Sequence, residues 1–261
     1  MTKNQLVLIK KDVRGVIANK RVLASLLIVP LVLTIVLPSV FVIGSVLEPE
    51  TISDFQILLD MLPNTSGKTE QELILGLVIN KIMPIFFLMI PIMTSSVMAA
   101  SSFVGEKEKQ TLETLLYSPL SLKQVFQAKI LAAFFIGFMI SFISFVAMML
   151  VVEIEIFVLT GAILIPDFTW LIIMLLVSPA LSLAGIAITV KGSAKAQTIE
   201  ESQQRAVFLI FPLVALAVGQ FSGIILLNSW LMIVFGAVLA VLDFFIMRGA
   251  ARNFTYEKIL K

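Results

Sequence analysis

The sequence predicts an all-α polytopic membrane protein with six transmembrane helices. Four stretches carry no charged side chain and have the length of one crossing each, namely 22–47, 82–105, 130–152 and 168–190. A helix needs about 20 apolar residues to cross the hydrocarbon core of a bilayer. A fifth uncharged stretch, 206–242, is long enough for two crossings and holds the polar pair Asn228-Ser229 near its middle. We divide it into spans 207–227 and 230–247, and we treat 1–261 as one transmembrane domain.

The composition supports this class and excludes several kinds of chemistry. The chain is 59% hydrophobic and only 14% charged, whereas soluble domains carry about 25% charged residues. It contains no cysteine and no histidine. The chain therefore cannot form a disulfide, and it has no thiolate or imidazole to bind a metal or to act in nucleophilic catalysis. We therefore predict no catalytic residue, no metal site, no cofactor bound by this chain and no nucleic-acid partner.

The basic residues predict the orientation in the membrane. All but two of the 19 lysines and arginines, the exceptions being Lys68 and Lys81, fall in segments on one side of the predicted spans. Cytoplasmic segments are enriched in lysine and arginine. Both termini are then cytoplasmic, as an even number of spans requires. We expect a multi-pass protein of the plasma membrane, from a prokaryotic cell.

Residues 1–21 predict an amphipathic helix at the membrane interface. Leu6, Ile9, Val13 and Ile17 recur at a spacing of three to four residues. The site residues on the other faces are Lys10, Lys11 and Arg14. A basic amphipathic helix lies in the headgroup plane, with its lysine stems extended toward water. A second interpretation, compatible with the first, is that these charges only set the orientation of the chain.

Two of the three connections on the opposite side are longer than a tight turn. The loop 48–81 is the longer one, and Thr69-x-x-Glu72 within it has the pattern of a capping box that opens a helix leading into the second span. Between the third and fourth spans, the apolar run 156–166 is too short to cross. We predict that this run is a re-entrant or interfacial piece.

Two polar residues in the later spans form a possible intramembrane polar site. They are Gln220 and Asp243. Acidic residues inside membrane segments are functional candidates. Asp243 lies five residues before Arg248, near the inner boundary, so a structural salt pair is an equal alternative.

The most informative segment is 105–121, between the second and third spans. Leu112, Leu115 and Leu116 share one face of a short amphipathic helix, and charged residues cover the rest. Pro119 ends this helix, because the residue before a proline avoids the α region. Ser121 and Gln124 then start the next helix. The leucine face needs an apolar cover, which is either the membrane and the chain's own helix ends or a groove on a cytoplasmic partner.

Here the chain resembles the permeases, or membrane subunits, of the type-2 ABC transporter family. Those proteins carry a run of the form Glu-x-x-x-Gly-Thr-Leu-Glu-x-Leu-Leu-x-Ser-Pro between their second and third spans. The sequence departs from it at Gln110, where glutamine replaces glycine and favours the helix. It matches at Glu106, Thr111, Leu112, Glu113, Leu115, Leu116, Ser118 and Pro119.

The resemblance implies a function. In that family the segment is a coupling helix that docks on a separate ATPase subunit, and ATP with magnesium binds to that partner and not to the permease. The eight matching residues would then form the ATPase contact, with Glu106 and Glu113 as its charged rim. The permease works as a homodimer or heterodimer, exports its substrate and contacts membrane lipid. The segment 191–205 resembles glutamate- and glutamine-rich stretches of sodium- and drug-export members. The resemblance suggests this segment as a second, weaker contact with the ATPase.

Four other functions are alternatives to this one. Gly67-Lys68-Thr69 resembles the end of a phosphate-binding loop, but Leu62 stands where that motif needs glycine. The run from Glu200 to Arg205 matches a membrane-protease signature, yet those enzymes need histidine. The remaining alternatives are an ATPase-independent secondary transporter, which would need ion-binding groups at mid-depth, and a membrane scaffold.

Overall fold

A computed structural model describes residues 2–47, 69–108, 120–161, 163–193, 196, 198–222, 224–225 and 227–253. These residues form helices and connections, with no strand among them. Six of the helices are long and apolar enough to cross a membrane, which confirms the predicted all-α fold with six spans.

The chain begins with a short helix and continues with six long ones. Helix α1 is Lys3–Ala18, α4 is Leu122–Thr160 and α7 is Ser229–Asn253. The others combine consecutive segments. Helix α2 comprises Lys20–Leu31, a π-helical turn Val32–Val36 and Leu37–Leu47. Helix α3 comprises Glu70–Leu77, a π-helical turn Val78–Ile82 and Met83–Glu108, and α5 comprises Phe168–Ile172, a π-helical turn Ile173–Val177 and Ser178–Ser193. Helix α6 comprises Ile199–Gln204, a 3-10 turn Arg205–Leu209 and Ile210–Phe221.

Short polar motifs start several of these helices. Thr69 and Glu72 form the capping box predicted for the start of α3, and Ser121 with Gln124 forms another at the start of α4. In each box the cap hydroxyl accepts a hydrogen bond from the backbone N–H three residues further on, and the glutamate or glutamine side chain accepts one from the backbone N–H of the cap. Two otherwise unpaired donors are thereby satisfied. Asn19, in an extended conformation, separates α1 from α2.

Helices α3 and α4 are longer than a bilayer requires. The 39 residues of α4 correspond to about 58 Å of helix, against a hydrocarbon core of about 30 Å. The prediction of a separate piece over 156–166 is wrong for its first part, because α4 continues to Thr160 and ends at Gly161, whose φ is 70°. Glu153 and Glu155 do not interrupt the helix, since glutamate is a good helix former.

The ends of α3 and α5 on the loop side are joined by polar contacts. The Asp167 backbone N–H donates to Asn80 Oδ1 at 2.7 Å, and Lys81 Nζ lies 3.4 Å from Asp167 Oδ2. The Trp170 indole N–H donates to the Ile79 carbonyl at 3.2 Å, within the π-helical turn of α3. A π-helical turn displaces carbonyls from the regular helical pattern, so this turn supplies an acceptor for a buried tryptophan.

Helices α3 and α5 form the centre of the bundle. In the most apolar 18-residue stretch of each of these two helices, 67% of the residues are buried, whereas 17% are buried in the corresponding stretch of α7. Glycines bring the central helices close together: a Cβ atom at Gly137 of α4 would lie 2.9 Å from Ser95 Cβ of α3, and one at Gly185 of α5 would lie 2.8 Å from Ser96 Oγ. Small residues allow such approaches in membrane bundles, where packing drives helix association.

Candidate functional site at the basic end of the helices

Helix α1 packs across the two helices that flank the segment 105–121. Leu8 is buried against Val125 and Ala128 of α4. Val16 is buried in a cluster with Phe103 of α3 and Phe126 of α4. The Gln5 side chain adds a hydrogen bond to the Gln124 carbonyl at 3.4 Å. One face of α1 therefore packs against α3 and α4.

Beside this face lies a buried ion pair. Lys129 Nζ of α4 is 2.8 Å from Glu106 Oε2 of α3, and Lys11 Nζ of α1 is 3.1 Å from Glu106 Oε1. The Lys129 side chain is 2% exposed and that of Glu106 is 11% exposed, whereas that of Lys11 is 60% exposed. A single carboxylate thus holds one buried and one exposed ammonium group.

A serine extends this pair to a second acid. Lys129 Nζ donates to the Ser102 carbonyl and, at 3.3 Å, to Ser102 Oγ. Ser102 Oγ donates in turn to Asp12 Oδ2 at 2.9 Å. Lys129 also lies over the Phe103 ring, 5.5 Å from its centroid, an arrangement that favours the cation. Below, the five residues Lys11, Asp12, Ser102, Glu106 and Lys129 are called the ion cluster.

The ion cluster is electrically balanced, but its burial has a cost. It contains two ammonium and two carboxyl groups from three helices. Burial raises the pKa of the Asp12 carboxyl above its ordinary value of 3.8, although Lys129, the hydrogen bond from Ser102 and Lys11 act in the opposite direction. Desolvation disfavours the charged form, and here it outweighs the attraction of the neighbouring cations.

The predicted interfacial residues lie on and beside this packed face. Lys10 and Arg14 are exposed, and Lys11 belongs to the ion cluster. The apolar stripe is divided: Leu6 and Ile17 are 59% and 61% exposed, whereas Ile9 and Val13 pack against buried clusters. An exposed surface with both apolar and basic groups remains on α1.

The predicted ATPase-contact residues divide into one inside the described structure and seven outside it. Glu106 lies in the ion cluster, near the end of α3. The other seven lie outside the described residues: Thr111, Leu112, Glu113, Leu115, Leu116, Ser118 and Pro119. Because α3 ends at Glu108 and α4 begins at Leu122, the ion cluster lies beside both ends of this segment.

The start of α6 packs against the same end of α3. The ideal Cβ position at Gly105 lies 3.5 Å from Ile199 Cδ1, and Ser202 Oγ, fully buried, donates to the Thr189 carbonyl of α5 at 3.3 Å. Glu201 and Gln204 are exposed. The segment 191–205 therefore presents polar groups beside the segment 105–121.

Gln220 and Asp243, the two residues of the predicted intramembrane polar site, are both buried and belong to different helices. Gln220 is 0% exposed and lies at the end of α6, whereas Asp243 is 2% exposed and lies within α7. Asp243 is 14 residues beyond the first residue of α7, or about 21 Å along the helix. Neither side chain has a hydrogen-bond partner among the described residues. Among all the residues that the structure describes, no three acidic side chains are close enough together to bind a metal ion.

Sequence reasoning did not identify Asp12, Ser102 or Lys129 as site residues. Two features pointed toward them: Asp12 is the one acidic residue before Glu48, and Lys129 is the last charge before the uncharged stretch 130–152. Their partners lie 90 and 27 residues away along the chain, so no local pattern connects them.

The fold and the site define a polytopic helical membrane protein whose second and third spans are joined, at their basic ends, to an N-terminal helix. Residues 51–199 match the family described as ABC-2 family transporter protein. This match covers more than half of the chain, and the chain belongs to that family. It is a permease component of an ABC transporter. No curated protein and no solved structure matches the chain.

Proposed function

We propose that this permease couples ATP hydrolysis by a separate ATPase subunit to export of a substrate across the plasma membrane of a prokaryotic cell. The ATPase binds the segment 105–121, and ATP with magnesium binds to the ATPase alone. The permease forms half of a dimeric pathway, with a second copy or a related chain as the other half. The observation that carries the proposal is the family's coupling-helix run between the ends of α3 and α4, which the ion cluster joins to α1.

The geometry supports transmission of force through this segment. A motion applied between α3 and α4 reaches the bundle centre directly, because α3 packs against α4 at Gly137 and against α5 at Gly185. Packed interfaces of this kind shift as units and do not deform gradually. A docked ATPase would therefore move the central helices, and not only a surface loop.

Five residues of the segment have named roles in this proposal. Leu112 and Leu116 supply the apolar anchor, and Glu113 supplies charge at the rim. Pro119 ends the coupling helix. Glu106 holds α3 to α4 and α1, since its carboxylate is buried and paired within the chain. That position favours a positioning role over direct contact with the ATPase. The exposed groups of the segment 191–205 form a second, weaker contact in this proposal, and similar glutamate- and glutamine-rich stretches occur at this place in sodium- and drug-export members.

The test is co-purification of an ATPase with a double variant. Leu112→Asp with Leu116→Asp places two charges on the anchor, and we expect loss of the ATPase while the permease keeps its elution profile in detergent. Leu112→Met with Leu116→Met is the matched control, because it keeps an apolar anchor of similar volume, and it should retain the ATPase. Wild-type amounts of ATPase with the double aspartate variant would contradict the proposed contact.

A further inference from the structure

The ion cluster joins three helices at one point, and its residues come from no single element. Lys11 and Asp12 belong to α1, Ser102 and Glu106 to α3, and Lys129 to α4. Glu106 is two residues from the end of α3, and Lys129 is two turns from the start of α4. The cluster therefore lies beside the ends of the segment 105–121, where a docked ATPase would act.

Stability alone is a weak reason for such a cluster. Apolar residues of similar volume are often as stabilising as a buried ion pair, or more so, because charges lose their hydration on burial. The Lys129 and Glu106 side chains are only 2% and 11% exposed, so this cost applies here. What directional contacts provide, and apolar contacts do not, is a fixed register between neighbouring helices. Leu8 and Val16 bury apolar area, whereas the hydrogen bond from Ser102 to Asp12 sets the position of α1 along α3.

We propose that the ion cluster clamps α1 to the basic ends of α3 and α4, so that α1 moves as one unit with these two helix ends during transport. This inference rests on the proposed function. Asp12, Ser102, Glu106 and Lys129 are positioning residues: they contact neither ATP nor substrate, and they determine where the exposed basic face of α1 lies at the membrane surface.

The test measures the position of α1 directly. The chain contains no cysteine, so two cysteines define a spin-label pair without further changes. Val7→Cys on α1 and Gln127→Cys on α4 are exposed positions outside the ion cluster. Double electron–electron resonance spectroscopy on the purified permease in lipid nanodiscs gives the distribution of distances between the labels. The labelled chain is reconstituted with an excess of unlabelled chain, so that label pairs within one chain dominate in a dimer. For the wild-type background we then expect one narrow distribution.

The main variant cuts the link to α1 and keeps the buried pair. Lys11→Met with Asp12→Ala leaves Glu106 bound to Lys129, so no buried charge loses its last partner, and Ser102 can bond to its own helix. We expect the width of the distribution to rise about twofold, because α1 then occupies positions that the cluster excludes. The control, Lys10→Met with Arg14→Ala, changes exposed basic residues outside the cluster and should leave the width unchanged.

A second variant removes all charge from the buried part. Asp12→Leu with Glu106→Met and Lys129→Met keeps similar volumes and removes every side-chain hydrogen bond and ion pair of the cluster between the helices, and we expect the same broadening at a thermal stability close to that of the wild type. An unchanged width in both cluster variants overturns the proposal. Broadening in the control alone also overturns it, since lipid contacts would then position α1.

The same labels separate this proposal from the proposed function. In the complex with the co-purified ATPase and a non-hydrolysable ATP analogue, we expect the distance between the labels to stay as in the isolated permease. A shift on nucleotide binding overturns the clamp. Absence of any co-purifying ATPase would remove the proposed function, yet it would leave the distributions of the isolated permease to decide whether the clamp exists.

Discussion

Two lysines bind the same carboxylate, and their burial makes them unequal. Lys129 and Lys11 both pair with Glu106, but their side chains are 2% and 60% exposed. An exposed ammonium exchanges water for the carboxylate with little net gain, whereas a buried one has no water to return to. The stability of this region should therefore depend on Lys129 far more than on Lys11.

Lys129→Met and Lys11→Met test this difference with the same change of charge at the same partner. We expect Lys129→Met to lower the free energy of unfolding by about 3 kcal/mol, at the lower end for a broken buried pair because Lys11 still neutralises Glu106. Lys11→Met should cost under about 1 kcal/mol. Thermal unfolding in detergent measures both. Equal losses in the two variants would show that burial does not govern this cluster.

At the scale of elements, local patterns predicted local structure well. The six spans followed from the lengths of the uncharged stretches, and the capping box at Thr69 followed from residues three apart. Such features depend on neighbours in sequence, so the sequence alone contains them. The end of α4 was missed because the run 156–166 was treated as too short to cross by itself, whereas its first five residues extend α4 to Thr160.

The candidate site was predicted only in part, for the opposite reason. Asp12 and Ser102 are 90 residues apart, and Lys11 and Glu106 are 95 apart. Their meeting depends on how α1 packs across α3 and α4, which no periodicity encodes. The sequence therefore pointed to Glu106 through its motif but assigned it to an exposed rim, whereas its partners are revealed by the packing of three helices.

The close contact between α3 and α4 gives a prediction about element packing. A methyl group at Gly137 would lie 3.0 Å from Ser95 Cα and 3.1 Å from Ser95 N, so the two backbones would have to separate. We expect Gly137→Ala to cost about 1–3 kcal/mol of stability.

Gly44→Ala in α2 is the matched control, because no heavy atom lies within 4 Å of its Cβ position. This control should be neutral or slightly stabilising, since alanine is the better helix former. Thermal unfolding of the two variants side by side decides the matter. A stable Gly137→Ala protein would contradict the tight α3–α4 contact.

At the scale of the whole molecule, the distribution of charge sets the predicted orientation. The basic end contains α1, the ion cluster and the segment 105–121, and an ATPase has access to it only from the cytoplasm. Six spans place the two ends of the chain on the same side. The orientation and the proposed function are therefore linked, and an inverted chain would exclude the ATPase from its predicted contact.

Cysteine labelling in intact cells tests the orientation. Because the chain has no cysteine of its own, Val7→Cys and Asn64→Cys each introduce a single thiol. We expect a membrane-impermeant maleimide to label Asn64→Cys, in the loop predicted to be external, and to spare Val7→Cys until the cells are opened. Labelling of Val7→Cys in intact cells would reverse the predicted orientation.

The central claim, that this permease is driven by a separate ATPase, is tested most directly by the composition of the native complex. The tagged chain is extracted from its host in a mild detergent, and the co-purifying proteins are identified and quantified by mass spectrometry. We expect one ATPase chain for each permease chain, and the sequence of that ATPase should contain a complete phosphate-binding loop. An active permease recovered alone, or only with copies of itself, would contradict the account and favour a secondary transporter or a scaffold.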